Sequence, residues 1–174
     1  MKLENVLTQT ADRLDAWLTR IGRACAWLAL VLIGTIMLQI VLRYVVGQGR
    51  VWIEELQWHF YAVGILIGLS YTTVFDGHVR VDLLFERFGA RTRAWVELLG
   101  IVLLLWPLIY VVFVHSLPFL AESYTLGEAS DAPAGLRYRW VIKGFIPLGF
   151  ALLFLASLAR VLRAVNVILH RRRP

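Results

Sequence analysis

Residues 52–84 read WIEELQWHFYAVGILIGLSYTTVFDGHVRVDLL and pass through three environments in one continuous segment. The segment opens with an acidic pair, Glu54 and Glu55, set among aromatic residues. From Trp58 to Phe75 the only ionisable side chains are His59 and two tyrosines, and a helix of that length nearly crosses the ~30 Å hydrocarbon layer of a bilayer. It then leaves through Asp76-Gly77 into the charged run His78 to Asp82, with Gly77 suited to close a helix C-terminus. The alternation acidic, apolar, charged predicts a rod set across a membrane, and the rest of the chain repeats it.

Composition agrees. Of 174 residues, 59% are hydrophobic and 17% charged, with a mean hydropathy of +0.69, whereas a soluble domain carries about 25% charge. Four apolar runs, 24–46, 56–75, 95–114 and 140–162, each approach the ~20 residues a spanning helix needs, and none alternates as a barrel strand does. The fold expected is an all-α membrane protein of four transmembrane helices over 24–162. An amphipathic interfacial helix over 1–23 precedes them and a basic cytoplasmic tail over 163–174 follows. Leu3, Val6, Leu7, Leu14, Trp17, Leu18 and Ile21 share one face of that first helix, a pattern that suits lipid or a groove on a partner subunit. The single Cys25 excludes an intramolecular disulfide and a cysteine-cluster metal site.

The net charge of +6 is placed as a topology signal, not as a nucleic-acid footprint. Lys2, Arg13, Arg20 and Arg23 precede the first run; Arg80, Arg87, Arg91 and Arg93 lie between the second and third; Arg160, Arg163 and Arg171 to Arg173 end the chain. By the positive-inside rule both termini are expected in the cytoplasm. Arg43 then lies across a short turn from Glu54 and Glu55, and an ion pair fixing that hairpin is the structural expectation, with an outward-facing acidic site for a periplasmic partner as the functional one.

Within the second run, Gly64 and Gly68 stand four apart, the small-xxx-small spacing that lets another helix approach. Pro107 and Pro147 are expected to bend the third and fourth spans, freeing the carbonyls of Leu103 and Lys143. His115 to Arg139 reads as the longest external loop, with Glu122, Glu128 and Asp131 ahead of Arg137 and Arg139. The chemical inventory is thin: no phosphate-cradling glycine loop, no nucleophile with a base, no paired histidines at metal spacing. His59 and His115 both fall toward the external side and could together hold a haem iron, which keeps open a haem- or quinone-linked membrane anchor of an oxidoreductase. A self-contained carrier needs a polar or broken-helix site at mid-membrane, and little here supplies one. No cofactor and no enzymatic activity are expected.

The ordered set Arg43-Tyr44, Trp52 to Leu56, Gly77-His78-Val79-Arg80-Val81-Asp82-Leu83, Arg139-Trp140-Val141-Ile142-Lys143 and Ile146 to Phe150 resembles the small membrane subunit of tripartite ATP-independent periplasmic (TRAP) transporters. The resemblance implies a multi-pass protein of the bacterial inner membrane whose partners are a large membrane subunit, a periplasmic substrate-binding protein and lipid. It further implies sodium-coupled uptake of an organic acid, translocation by the large subunit and a scaffold role for this chain. On that reading Glu54, Glu55, Glu122, Arg137 and Arg139 face the binding protein. Gly77, His78, Arg80, Asp82, Trp140 and Lys143 carry the family pattern. One departure stands out: where the family resemblance implies a glutamine late in the fourth span, this chain has Ala156 and Ser157.

Overall fold

The computed structural model describes residues 2–75 and 88–169. Gly77, His78, Arg80 and Asp82, and the short interfacial helix expected around them, lie outside the described residues. What is described is helix and turn without strand. Helix α1 spans Lys2–Tyr44 and α2 Val51–Val74; α3 (Ala90–Gly100), a π-helical turn (Ile101–Leu105) and α4 (Trp106–Thr125) form one continuous rod; α5 spans Trp140–Leu169. The rods run alternately up and down, so residues near both ends of the chain meet at one end of the bundle, where Arg163 bridges Asp12 and Asp15.

The expected break between an interfacial helix and a first span is absent. From Lys2 to Tyr44 there is no proline, and interior glycines such as Gly22 and Gly34 cost a helix only about 1 kcal/mol each. The 43 residues form a rod of roughly 65 Å at 1.5 Å per residue, about twice the hydrocarbon thickness. Its amino-terminal half packs on protein: Ala11 and Leu18 are buried, and Leu18 joins Val63, Ile67, Leu152 and Ala156 in the core shared by α1, α2 and α5.

Three of these rods, Asn5–Tyr44, Ala90–Thr125 and Trp140–Leu169, are long and apolar enough to cross a membrane, not the four expected. Helix α2 has the length, but Gln57, His59, Ser70 and Thr73 dilute its hydropathy. The polar side chains of α2 find hydrogen-bond partners on α1 or within α2 itself. Gln57 donates to the Thr35 carbonyl at 3.1 Å, Ser70 to Ile67 at 2.7 Å and Thr73 to Leu69 at 2.8 Å. The turn into α2 is closed by Gly47 at φ +76°, with the Gln48 N–H on the Leu42 carbonyl at 2.8 Å.

Helix α5 is the hub, packing against α1, α2, α3 and α4. Its buried face mixes small residues, Gly149, Ala156, Ser157, Ala159 and Ala164, with Pro147, Leu152 and Leu153. Gly149 is where α2 comes closest, since a Cβ there would stand 2.9 Å from Leu66 Cβ and 3.0 Å from its carbonyl oxygen. Gly64 and Gly68, expected to serve that purpose, have open space where a Cβ would go. Ala156 and Ser157, the family departure, prove well placed: Ala156 lies in the core, and Ser157 accepts the Trp106 indole N–H at 3.0 Å while donating to the Phe154 carbonyl at 2.8 Å.

The prolines behave differently from one another. Pro107 is preceded by the π turn, a widening that relieves the clash of its ring with the preceding turn. Pro147 is buried inside α5. Pro118, expected in a loop, lies inside α4, which runs on to Thr125; the loop between α4 and α5 is therefore residues 126–139 only.

Candidate functional site

At the end of the bundle away from the termini, the 126–139 loop folds into a cap over α2 and α5. Gly127 at φ +58° ends α4, and Glu128 returns its N–H to the Ser123 carbonyl at 3.0 Å. The loop is then pinned from two sides. Glu55, on the first turns of α2, accepts the Leu136 N–H at 2.5 Å and the Ser130 hydroxyl. Ser130 in turn donates its N–H to the Leu136 carbonyl at 2.9 Å, so one carboxylate holds both strands of a small turn. Gly135 fits beneath it because a side chain there would meet Ser130 and the Glu55 carboxylate. Ala134 and Tyr138 adopt left-handed φ values of 63° and 65°, a conformation disfavoured without glycine, which the surrounding bonds sustain.

The second pin is Glu128. It pairs with Lys143 on the first turn of α5 and lies 3.6 Å from Arg139, which also approaches Asp131 at 3.9 Å. Lys143 stands 3.8 Å from the centroid of Phe119, so its ammonium meets a carboxylate and an aromatic face together. Both acids are held below their ordinary 4.5: Glu55 by the Leu136 N–H first and then Ser130, Glu128 by Lys143 first and then the Ser123 hydroxyl.

The expected residues therefore divide. Glu55, Arg139 and Lys143 are tied into the cap, Trp140 stacks edge-on with Tyr124 at 5.4 Å beneath it, and Glu54, Glu122 and Arg137 point to solvent around it. The expected ion pair of Arg43 with Glu54 or Glu55 is not present among the described residues. The hairpin is instead closed by Gln39 accepting the Arg50 N–H at 3.3 Å and by Gln57, while the loop claims Glu55.

The opposite end carries a second polar node that the sequence reading took only as charge topology. Arg160 pairs with Glu97 and donates to the Thr73 carbonyl at 2.9 Å, joining α5, α3 and the end of α2. One turn on, Arg163 reaches Asp12 at 2.9 Å and Asp15 at 2.5 Å on α1. Glu97 and Arg160 were each visible as ionisable residues at span ends, but nothing local marks them as partners.

His59 and His115 each turn Nδ1 to a carbonyl of their own helix, Glu55 at 2.7 Å and Val111 at 2.8 Å, and α5 is the helix against which both of their helices pack. No group of three metal-ligating side chains occurs among the described residues. What the fold offers is surface. Trp27, Leu30, Ile33 and Met37 of α1 are 70%, 58%, 53% and 56% exposed, and beside them Gly64 and Gly68 border a groove of about 340 Å³ between α1 and α2.

A four-rod helical chain with pinned loops and a bare apolar flank matches one family of sequences over residues 32–167: tripartite ATP-independent periplasmic transporters, DctQ component. The chain belongs to this family. As a DctQ component it is part of a transporter and not an enzyme. The match takes in α1 from Leu32, the whole of α2, the rod and nearly all of α5, and so covers both polar nodes except Asp12 and Asp15. No curated protein and no solved structure matches the chain.

Proposed function

We propose that this DctQ chain is the small scaffold subunit of a TRAP-type secondary transporter in a bacterial inner membrane, holding a large translocating subunit and helping to seat a periplasmic binding protein during ion-coupled, sodium-driven uptake of an organic acid. The observation that carries this reading is the family match across 32–167. The geometry is consistent with it: the polar groups within the rods are tied to each other, and the exposed apolar flank of α1 with the Gly64/Gly68 groove offers a face for a second membrane protein. On this reading α2 crosses the membrane with the other rods, its polar side chains bonded to α1 and to its own turns, and both termini lie in the cytoplasm. The cap faces the periplasm. Glu54, Glu122, Arg137 and Arg139 meet the binding protein there, while Glu55 shapes the cap.

Co-expression with the large membrane subunit of a TRAP transporter from the same cell tests this reading. The two are expected to purify as one complex, uptake into cells is expected to need both, and liposomes holding this chain alone are expected to take up nothing. Uptake by the chain alone, or full uptake without it, overturns the proposal.

A further inference from the structure

Tyr110 lies on the outward stripe of α4, 69% exposed, and among the described residues its hydroxyl has no hydrogen-bond partner. It stands 13 residues from Glu97 toward one end of the rod and 13 from Ser123 toward the other, roughly 20 Å in each direction at 1.5 Å per residue. Both polar ends of the bundle lie beyond a tyrosine's reach. The hydroxyl therefore sits at mid-depth, where acyl chains offer no acceptor and water is absent, so its complement is a second protein surface with a polar group at the same depth.

The face around Tyr110 is self-complementary. At 3.6 residues per turn, Trp106, Ile109 and Phe113 fall about 40–100° to one side of it, and Pro107, Val111 and Val114 about 40–100° to the other. The first side is hollow. With Tyr110 and with Ala151, Phe154 and Leu155 of α5 it forms an apolar slot of about 370 Å³, whose wall is fixed by the Trp106 indole bond to Ser157 and by its ring contact with Phe154. The second side is a ridge on which Val111 and Val114 are exposed. We infer that this face joins two copies of the chain about a twofold axis along the membrane normal, with Tyr110 beside the axis and the valine ridge of each copy in the slot of the other. Insertion gives both copies one orientation, so such an axis brings each residue to its own depth in the partner. A phenol hydroxyl is donor and acceptor at once, and it bonds the partner's Tyr110. The same axis carries the ridge side of one rod onto the slot side of the other, twice. The Gly64/Gly68 groove lies between α1 and α2, away from this face, and stays open to a different partner.

The inference rests on the bundle being lipid-embedded, which membrane fractionation checks separately, and not on the large subunit. Full-length chain carrying Cys25→Ser and Leu117→Cys, a position two turns from Tyr110 on the same seam, is expected to form a disulfide-linked dimer in membranes under mild oxidation. Cys25→Ser with Leu104→Cys, more exposed but turned away from the seam, is expected to stay monomeric. Tyr110→Phe keeps the ring and removes the hydroxyl; it is expected to weaken dimerisation about three- to tenfold while the unfolding midpoint of the monomer stays unchanged. Val111→Trp, too large for the slot, is expected to abolish the dimer. Cross-linking of Leu117→Cys to a different polypeptide or to none, equal cross-linking at Leu104→Cys, or an undiminished dimer in Tyr110→Phe or in folded Val111→Trp would each overturn the inference. The comparison of Leu117→Cys with Leu104→Cys decides the matter even if Val111→Trp fails to fold.

Discussion

Arg160 of α5 and Glu97 of α3 stand 63 positions apart in the chain and form an ion pair with side chains only 15% and 22% exposed, while the same guanidinium holds the carbonyl of Thr73 on α2. Three helices thus meet on one arginine. Removing one partner takes a charge-assisted contact from the other at a largely buried position, so Glu97→Gln and Arg160→Leu are each expected to destabilise the bundle by about 2–4 kcal/mol. The double variant is expected to lose less than the sum of the two. Unfolding midpoints in one detergent, taken as a double-mutant cycle, measure the coupling; additive losses would show that the pair does not act as one.

The cap should respond to acid in a defined direction. Glu55 and Glu128 titrate below their ordinary 4.5 when folded, so they bind fewer protons in the native cap than in the unfolded chain near that value. Their contribution is fully present above 4.5 and is lost as pH falls through the depressed values. Amide exchange in 126–139 is expected to stay slow from neutral pH down to about the ordinary carboxylate range and to accelerate below it, after correction for intrinsic exchange.

Glu55→Gln should show the same loosening at neutral pH. The carboxylate accepts from Leu136 and Ser130, and replacing charge by amide removes about 1–2 kcal/mol of local stability after allowing for solvent. Limited proteolysis is expected to cut within 126–139 while the unfolding midpoint of the rods barely moves. If Glu55→Gln instead lowered that midpoint as much as Glu97→Gln does, the cap would be part of the cooperative core.

How much of this was legible beforehand depends on whether a feature is local. Apolar runs of about 20 residues announced the rods at 24–46, 95–114 and 140–162, because the cost of burying charge in hydrocarbon is written into any such run. The second run was legible as a helix, but its polar residues are satisfied by α1 and by its own turns, which no window along the sequence can report. Arg43 was assigned to the acids nearest across its turn, whereas Glu55 is claimed by a loop about 80 residues away that the sequence placed only as external. Asp12 and Arg163 are separated by 151 positions. Pairings of that range come from the order in which the rods pack around α5. Ala156 and Ser157 showed as a departure from a family pattern, yet their packing could be seen only beside Trp106 and Leu18.

Trp106 and Ser157 give a prediction inside the bundle. Trp106→Phe keeps an aromatic ring against Phe154, now at 5.4 Å between centroids, and removes the indole donor, so the expected loss is about 0.5–1 kcal/mol. Ser157→Leu, at a fully buried position, forces extra volume into a packed face and is expected to cost about 1–3 kcal/mol or more. Detergent unfolding midpoints should rank the two in that order; equal effects would mean that the hydrogen bond, not the close packing, dominates at this contact.

The glycines separate packing within the chain from packing between chains. At Gly149 a methyl group would sit 2.9 Å from Leu66 Cβ and 3.0 Å from a backbone oxygen that cannot swing aside, so Gly149→Ala must push α2 from α5 and is expected to cost about 1–3 kcal/mol. At Gly64 and Gly68 nothing among the described residues lies within 4 Å of the added methyl, and alanine is the better helix former by up to about 1 kcal/mol per site. Gly64→Ala/Gly68→Ala is therefore expected to leave the isolated chain as stable as before or slightly more so. If the groove they border receives a helix of the large subunit, the same double variant will reduce co-purification of that subunit from membranes at unchanged abundance of this chain. Undiminished co-purification would place the contact on another face of the bundle, such as the outer side of α4, and the groove would then be filled by lipid alone.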